Sequence, residues 1–397
     1  MGGVLSNAPV QEQLRRNTMR VAIDIRRAGD YGLGTYIRNI VNQLARIDDE
    51  SRYLLIGERR HMAEFDALPD NFELLEYAHQ PGTFRTHLHL PWLLRQRHVD
   101  ILHMPWFYAP AIVPSRLLIT VHDLSDVLAP PVGASPPVQT GRLFFARRAL
   151  NRADHIFAVS HASKRDLARF FHIPESKITV VYDAVDERFL TEPLPADADR
   201  ILERHAVNSP YVLYAGNIRP QKNLPRLIEA FAVAKAELRG NPEFDQLKLL
   251  VIGEALNRHA DLRRAVVRAR VREDVRFLGF VPSPVLRVFY SRASAFLFPS
   301  LYEGFGLPPL EAMAHGTPVL TSNVSSLPEV FQDAALLVNP ENVFDIARGI
   351  RQILTENALR QTLRRRGYER ARMYSWEHAA RLVHAAYHSV LARKAAA

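Results

Sequence analysis

The chain alternates short apolar runs, rich in β-branched residues, with longer amphipathic stretches over most of its length. Such runs, bounded by turn residues, are typical of buried parallel strands. In the first half they are VAIDI (21–25), YLLIG (53–57), DILHM (100–104), LLITV (117–121), IFAVS (156–160) and ITVVY (178–182). Between them we expect helices over 33–47, 138–153 and 161–171. Repeated strand–helix–strand units with right-handed crossovers predict a doubly wound parallel sheet.

The alternation stops after residue 182 and then begins again. The segment 183–210 is rich in proline and acidic residues, as is typical of a connection between domains. The second series of strands is YVLYAG (211–216), LKLLVIG (247–253), VRFLGF (275–280), AFLFPS (295–300), PVLTS (318–322) and ALLVN (335–339). Its helices are expected over 224–238, 284–291, 308–315 and 342–354. The fold class is therefore α/β, with two Rossmann-like domains that bind ligands beyond the carboxyl ends of their strands.

The 397 residues are long enough for two domains and the peptides that flank them. The final stretch, WEHAARLVHAAYHSVLARK, reads as an amphipathic helix with no strand after it. The predicted division is a flexible leader (1–18), a first domain (19–190), a linker (191–209), a second domain (210–374) and a C-terminal helix (375–397).

The composition of the chain limits the kinds of ligand and macromolecule that it is expected to bind. The net charge of +9 favours anionic partners, but the arginines are scattered and no nucleic-acid motif is present, so we expect no nucleic acid. With 0 cysteines, disulfides and thiolate metal sites are excluded. We find neither a secretory signal nor an apolar run long enough to span a membrane. A cytoplasmic protein is expected.

The stretch SLYEGFGLPPLEAMAHGTPV carries two glutamates, Glu303 in the loop after a strand and Glu311 in the opening turns of a helix. Gly304 and Gly306 leave the backbone bare, so a ligand can approach closely. The helix N-terminus suits phosphate, and carboxylates accept bonds from hydroxyl pairs. Together these features favour a sugar nucleotide, although a plain turn into a helix explains the same residues on generic grounds.

A second loop, AGNIRPQKN, also lies between a strand and a helix. Lys222 would place a fixed cation where a leaving diphosphate gains negative charge. A solvated lysine before a helix is the ordinary alternative. An Asp-x-Asp pair can hold Mg²⁺ with a diphosphate, but Asp197 and Asp199 fall in the polar linker and read as solvated. No metal and no other cofactor are expected.

The first domain offers further candidates. Tyr31, Gly32 and Gly34 lie in DYGLGTYIRN between the first strand and its helix. The two glycines would let the backbone pass close to the diphosphate of a donor or to an acceptor, although a plain turn explains them at least as well. His122 and His103 lie at the ends of strands, although histidines at such positions more often pack in the core. His122 is expected to face the predicted cleft, and Tyr31 and His103 are assigned to the acceptor side.

Taken together, EGFGLPPLE, AGNIRPQKNLPRLIEAF (215–231), FLGFVPSPVLRVFYSRASAFLFPS (277–300) and YSWEHAARLV (374–383) resemble the family 4 (group 1) retaining glycosyltransferases of GT-B fold. The contexts VHDL and SLYEGFGLPPLEA are most similar to bacterial mannosyltransferases of surface-polysaccharide biosynthesis. The resemblance implies that the C-terminal helix crosses back to the first domain.

The resemblance also implies roles for single residues. Glu303 would contact the hydroxyls of the donor sugar and Glu311 the ribose. Backbone N–H groups near Phe305, Gly306 and Leu307 would hold the sugar and diphosphate.

On the cationic side, the resemblance makes Lys222 the phosphate-binding lysine. The family commonly has an arginine where this chain has Asn217, and Arg219 is the candidate for the missing cation. His122 resembles an active-site histidine that touches the donor sugar. Transfer is expected on the front face, with the leaving phosphate oxygen taking the proton of the acceptor.

The predicted reaction moves a hexose from a nucleoside-diphosphate sugar, with GDP-mannose favoured, to a hydroxyl of a saccharide or polyprenyl-linked saccharide. A sugar-nucleotide epimerase of the same fold and a non-catalytic sugar-nucleotide-binding protein are the alternatives. Two stretches, 84–98 and 141–155, combine aromatic and basic residues and allow peripheral contact with an anionic membrane at its inner face. Core packing with arginines in solvent is the simpler account of both.

Overall fold

The computed structural model describes residues 18–30, 32–79, 83–125, 136–254 and 259–395. Tyr31 and the leader as far as residue 17 lie outside the described residues.

The first sheet has seven parallel strands in the order β3-β2-β1-β4-β5-β6-β7. They are β1 (Arg20–Asp24), β2 (Arg52–Gly57), β3 (Phe72–Glu76), β4 (Ile101–Met104), β5 (Arg116–Val121), β6 (His155–Ala158) and β7 (Ile178–Val180). Six of them match the predicted runs. Strand β3 was missed because FELLE at the sheet edge mixes exposed and buried positions and lacks the continuous apolar run of the central strands.

The second sheet has six parallel strands in the order β10-β9-β8-β11-β12-β13. They are β8 (Tyr211–Ala215), β9 (Lys248–Ile252), β10 (Val275–Gly279), β11 (Ala295–Phe298), β12 (Val319–Ser322) and β13 (Ala335–Val338). All of them were predicted. The chain thus consists of two Rossmann-like α/β units, each with its own apolar core.

The α-helices of the described residues follow the same order along the chain. They are α1 (Leu33–Ile47), α2 (Arg59–Met62), α3 (Phe84–Gln96), α4 (Pro136–Arg152), α5 (His161–Phe171), α6 (Glu187–Thr191), α7 (Ala198–Arg204), α8 (Leu224–Glu237), α9 (Ala260–Ala269), α10 (Ser283–Arg292), α11 (Leu307–Ala314), α12 (Leu327–Phe331), α13 (Val343–Thr355), α14 (Asn357–Met373) and α15 (Trp376–Ala395). None of these helices is long and apolar enough to cross a membrane.

The connection between the sheets carries structure of its own. It contains the short helices α6 and α7, and Asp186 caps α6 by accepting a bond from the backbone N–H of Arg188. The Asp-x-Asp pair of this segment is engaged at the surface, since Asp197 pairs with Arg204 and Asp199 with Arg292.

The last two helices lead the chain back to the first unit. Helix α14 packs on α11, and α15 packs on α1. Trp376, Val383 and Tyr387 of α15 are buried in the core of the first sheet. The C-terminal helix therefore crosses back to the first unit, as the resemblance implied.

Each sheet reverses its winding at one point. In the first sheet β1 lies between β2 and β4, and in the second β8 lies between β9 and β11. Crevices that bind ligands form beyond the carboxyl ends of the strands at such points. A ligand site in the second unit is therefore expected at the loops that follow β8 and β11.

Candidate active site

A lysine and a glutamate meet at the switch point of the second sheet. Lys222 ends a 3-10 turn, Pro220–Lys222, in the loop after β8, and Glu303 lies in the loop after the neighbouring strand β11. The Lys222 Nζ lies 2.6 Å from one carboxylate oxygen of Glu303 and 2.8 Å from the other. It also lies 5.1 Å from the centre of the Phe298 ring. Both side chains are largely buried, so the pair is a strong local electrostatic feature.

The loop that carries Lys222 is fixed from both ends. Asn223 adopts the left-handed conformation and is buried, and its side-chain amide donates to the carbonyl oxygens of Pro299 (3.0 Å) and Pro340 (2.7 Å). These bonds tie the loop after β8 to the loops after β11 and β13. The position of the Lys222 backbone is therefore set by the sheet and does not depend on its ion pair.

Asn217 and Arg219 lie on the same loop. The Asn217 carbonyl oxygen accepts a bond from the Tyr214 hydroxyl at 2.9 Å, while its buried side-chain oxygen has no hydrogen-bond partner among the described residues. Arg219 is exposed at the start of the 3-10 turn. The candidate cation, Arg219, is thus close to position 217 in sequence, and the residue is exposed.

The glutamate loop is held by two serines. The Glu303 carbonyl oxygen accepts bonds from the hydroxyls of Ser325 (2.5 Å) and Ser326 (2.9 Å), and its N–H donates to the Ser325 oxygen at 3.1 Å. Gly306 has a φ of +102°, a conformation that L side chains rarely adopt, and it forms the N-cap of α11.

The N-terminus of α11 presents few backbone donors. Pro308 and Pro309 lack N–H groups, which leaves Leu307 in the first turn and Phe305 and Gly306 before it. None of these three N–H groups donates to an atom of the described residues. The free donors therefore lie beside Glu303, where the resemblance placed contacts to sugar and diphosphate.

Glu311 lies in the second turn of α11 and is only partly exposed. One of its carboxylate oxygens accepts a bond from the Tyr290 hydroxyl at 2.9 Å. Burial raises the pKa of Glu311 to about 7, above its ordinary value of 4.5. A carboxyl with this pKa titrates near neutral pH, which is typical of functional sites.

The first sheet contributes His122, which directly follows β5. Its ring nitrogen Nε2 is buried and has no hydrogen-bond partner among the described residues, and Nδ1 lies 3.8 Å from a carboxylate oxygen of Asp183. The Tyr36 ring meets the imidazole edge-on at 4.7 Å. The other carboxylate oxygen of Asp183 also lacks a partner. A buried ring nitrogen and a buried carboxylate oxygen that lack partners require an explanation, and a ligand can supply it.

The two units touch at this point. A β-carbon at Gly304 would lie 1.5 Å from the carbonyl oxygen of His122, so the backbones of the two loops are in direct contact. Gln221 donates to the Ser125 hydroxyl at 3.2 Å. The structure therefore brings His122 to the second-sheet loops that carry Lys222 and Glu303.

Further contacts between the units surround the site. Glu329 of α12 accepts bonds from the backbone N–H groups of His161 (2.7 Å) and Ala162 (3.0 Å), which are free in the first turn of α5. Tyr302 donates to Asp166 at 2.7 Å. The structure thus shows the two units in contact through fixed polar groups.

His103 does not reach the site. It is fully buried, and its ring nitrogens bond to the Tyr387 hydroxyl at 2.7 Å and to the Thr120 hydroxyl at 2.8 Å. Burial lowers its pKa to about 3, so the ring is neutral. The acceptor-side prediction for His103 is therefore corrected: it joins α15 to β4 and has no face open to an acceptor.

Of the other first-domain candidates, Gly32 precedes α1 with a φ of +64° and Gly34 lies inside that helix. A β-carbon at Gly34 would lie 2.3 Å from the Ala28 carbonyl oxygen, so packing explains the glycine. Tyr31 lies outside the described residues.

Sequence reasoning missed the partners of the predicted residues. Asp183 and Tyr290 each contact a predicted site residue, Asn223 fixes the loop of Lys222, and Glu329 joins the two units beside the site. Asn223 alone had a local signal, because it directly precedes a predicted helix, where asparagine is a preferred cap. The other three are brought in by the tertiary fold.

Among the described residues, no three His, Asp or Glu side chains cluster as metal ligands would. The independence of metal remains a prediction. The groups present are one ammonium, several free backbone donors and two carboxylates, a set that suits a ligand with both phosphates and hydroxyls.

Two Rossmann-like units joined at the carboxyl edges of their sheets, with a C-terminal helix that returns to the first, define the GT-B class of fold. Comparison with known proteins gives the family. Residues 31–189 match the model of Glycosyltransferase Family 4, and residues 197–370 match that of Glycosyl transferases group 1.

O-antigen chain mannosyltransferase B of Escherichia coli is 33% identical over 72% of this chain and 73% of its own length. O-antigen chain mannosyltransferase RfbU of Salmonella typhimurium is 30% identical over 56% of this chain and 57% of its own length. Anabaena Alr3699/HepE, solved in complex with UDP-glucose, superposes with a TM-score of 0.72 at 17% identity, covering 94% of this chain and 100% of that one. The chain belongs to the group 1 glycosyltransferases of family 4, and it is a glycosyltransferase.

Proposed function

We propose that this chain is a mannosyltransferase of surface-polysaccharide assembly that uses GDP-mannose. The support is the likeness to two relatives named as O-antigen chain mannosyltransferases. The acceptor would be a hydroxyl of a saccharide or of a polyprenyl-linked saccharide. The configuration at the anomeric carbon would be retained, as in the family that the sequence resembles.

The Lys222–Glu303 pair is the observation that carries the donor site. Both groups lie at the switch point, and each is the ion-pair partner of the other. A bound donor would offer diphosphate to the ammonium and sugar hydroxyls to the carboxylate. When the donor binds, these two sets of contacts would replace the ion pair between Lys222 and Glu303. Every charge would stay compensated, so the site would not bury an unpaired charge.

The groups around the Lys222–Glu303 pair would bind the other parts of the donor. The N–H groups of Phe305, Gly306 and Leu307 would bind diphosphate oxygens, and Glu311 would bind the ribose. His122 would direct Nε2 at the donor sugar. As the bond to the leaving diphosphate breaks, Lys222 would stabilise the charge that develops, without a metal ion.

The retaining step would occur on one face of the sugar. The donor's own phosphate oxygen would take the proton of the acceptor hydroxyl as the new glycosidic bond forms. A double displacement would need a carboxylate nucleophile beside the anomeric carbon. Glu303 is held by Lys222 and assigned to the hydroxyls.

Thermal melting with a panel of GDP-, UDP-, ADP- and dTDP-sugars tests the donor site. A ligand at 100 times its Kd should stabilise the protein by about 2.7 kcal/mol. GDP-mannose should raise the melting temperature of the wild type and of Lys248→Ala, a control lysine on β9. Lys222→Ala and Glu311→Ala should lose the shift. A shift with another nucleotide class would reject GDP-mannose but keep the site.

Transfer itself is tested with GDP-mannose and a polyprenyl-linked acceptor. The product should carry the α linkage of the donor by NMR, and excess EDTA should leave the rate unchanged. A β product would reject retention, and loss of activity in EDTA that Mg²⁺ restores would reject metal independence.

The same assay separates the alternatives. An epimerase would convert the donor without an acceptor, and a binding protein would release no GDP at all. The likeness to named transferases over more than two thirds of the chain supports transfer over both. The proposed place of work is the cytoplasm, at the inner face of the membrane.

A further inference from the structure

Exposed apolar side chains gather on one part of the first unit. Six of the thirteen large apolar side chains exposed in the described residues lie on α3, on α4 or in the loop after β4. They are Leu88, Trp92, Ile112, Leu143, Phe144 and Phe145. Trp92 is 55% exposed, Phe144 60% and Ile112 65%. Soluble proteins rarely leave such a group of residues uncovered without a partner.

Contacts show that the three segments form one surface. The rings of His87 on α3 and Phe145 on α4 lie 6.3 Å apart. Ala111, beside Ile112, donates its N–H to His87 at 3.0 Å and accepts a bond from Arg148 at 3.3 Å. A cavity of about 250 Å³ lies between them, lined in part by the same residues. The exposed side chains are therefore neighbours.

Packing against the sheet accounts for a different set of residues. Leu90, Leu94, Ala146 and Leu150 are the buried positions of α3 and α4. On α3 the exposed positions Arg85, Leu88, His89, Trp92 and Arg95 recur every three or four residues and form one outward stripe. Core packing with arginines in solvent, the simpler account from sequence, leaves this stripe unexplained.

The charge on this surface has one sign. Neither α3 nor α4 contains an aspartate or glutamate. Arg85, Arg95, Arg147 and Arg148 are exposed around the apolar side chains. No carboxylate of the described residues lies within ion-pair distance of these four. A surface of aromatic side chains ringed by unpaired arginines complements anionic lipid headgroups, with the rings at the headgroup level.

We propose that this surface, the basic aromatic face of α3, α4 and Ile112, docks the enzyme on membranes that contain anionic phospholipids. The occupant is a lipid bilayer surface, into which Trp92 and Phe144 insert while the arginines meet the phosphates. The proposal goes beyond the transfer reaction and does not depend on which donor is used. It explains how a chain with no spanning helix in its described part would reach a lipid-linked acceptor.

Tryptophan fluorescence offers a direct readout. The protein has three tryptophans, and Trp106 and Trp376 are buried at 7% and 2% exposure. Trp92 is therefore the tryptophan whose surroundings change on docking. Vesicles of phosphatidylcholine with about 30% phosphatidylglycerol should shift the emission to the blue, and vesicles of phosphatidylcholine alone should not. The shift should be absent in Trp92→Phe, which should still co-sediment.

Variants separate the two parts of the face. Phe144→Ser with Trp92→Ser should weaken co-sedimentation at least tenfold. Arg95→Gln and Arg147→Gln should each weaken it about fivefold, and added salt should remove this difference. Controls on the second unit, Phe344→Ser with Met373→Ser and Arg372→Gln, change exposed residues of the same kinds and should bind as wild type.

Three results would overturn the proposal. The first is equal binding to neutral and anionic vesicles. The second is an equal loss of binding in the control variants. The third is a dimer in solution that Phe144→Ser dissociates, which would make a second copy of the chain the occupant. Vesicle binding is measured without sugar nucleotide, so a failed donor site leaves it unaffected.

Discussion

At the scale of single residues, the two opposite charges at the centre of the site compensate each other. Lys222 and Glu303 are each other's partner in a largely buried position. Removal of one member of such a pair leaves the other unpaired, whereas removal of both can be nearly neutral. Stability and activity should therefore respond differently to the same substitutions.

Lys222→Met should lower the free energy of unfolding by up to about 3 kcal/mol, because the Glu303 carboxylate loses its counterion. The double variant Lys222→Met with Glu303→Gln should recover most of that loss. Both should reduce kcat/KM at least about 100-fold, since the leaving diphosphate lacks its cation. Urea unfolding and transfer rates provide the two readouts. A double variant that is as unstable as the single one would show that the pair is not coupled.

Glu311 gives a pH-dependent prediction. Its pKa is raised from 4.5 to about 7 by burial, so the folded protein binds more protons than the unfolded chain between these values. Stability therefore falls as pH rises from 4.5 to 7 on account of this group. Glu311→Gln should match the wild type near pH 4.5 and exceed it above pH 7, by up to about 3 kcal/mol.

The measurement is urea unfolding at both ends of that pH range, with the exposed Glu341→Gln as control. The same Gln variant should bind donor about tenfold more weakly at pH 8, because a charged acceptor makes the stronger bond to hydroxyls. Equal stability of wild type and Glu311→Gln at pH 8 would show that the carboxylate is well solvated.

At the scale of elements, the loop after β11 limits how closely the two units approach. Gly304→Ala would place a methyl group 1.5 Å from the His122 carbonyl oxygen, so the loops must separate. We expect kcat/KM to fall about 100-fold or more, because reacting groups are displaced by an ångström or so. The melting temperature should change little, since each unit keeps its own core. Gly141→Ala in α4, where a β-carbon meets nothing within 4 Å, is the control.

Elements were more predictable from sequence than were the contacts between them. Buried central strands such as β5 and β11 can be recognised from their continuous apolar runs, and Glu303 could therefore be placed in the loop after β11. Edge strand β3 lacked that signal. The roles of Asp183 and Tyr290 arise from chain segments that meet only in the folded protein, and nothing local marks them. His103 packs in the core, the ordinary alternative for a histidine at a strand end, and its strand-end position does not reveal that a distant helix covers the side chain.

At the scale of the whole molecule, α15, the last helix of the described chain, packs into the core of the first unit. The Tyr387 hydroxyl bonds to Nδ1 of His103, whose Nε2 bonds to Thr120, so helix and sheet share one buried polar network. His384 of the same helix bonds to Asp48 at 2.9 Å. The core of the first unit is incomplete without this helix.

Tyr387→Phe should cost about 1–3 kcal/mol in the free energy of unfolding, because it leaves a buried ring nitrogen of His103 without a partner. Urea unfolding measures the loss. Tyr368→Phe, whose side chain is 42% exposed, is the control and should change stability by less than about 0.5 kcal/mol. Donor affinity should be unaffected in both. A neutral Tyr387→Phe would indicate that water replaces the hydroxyl.

The position of α15 at the end of the described chain also sets the order in which the two units can fold during translation. The second sheet is encoded in one uninterrupted segment and can fold once that segment has left the ribosome. The first sheet is translated earlier, yet the face of α1 that packs on α15 stays uncovered until α15 has followed the whole second unit. The nascent chain therefore carries an apolar groove along α1 for most of its synthesis. Chaperones that bind exposed apolar surface would therefore find a binding site on a nascent chain whose second unit is already complete.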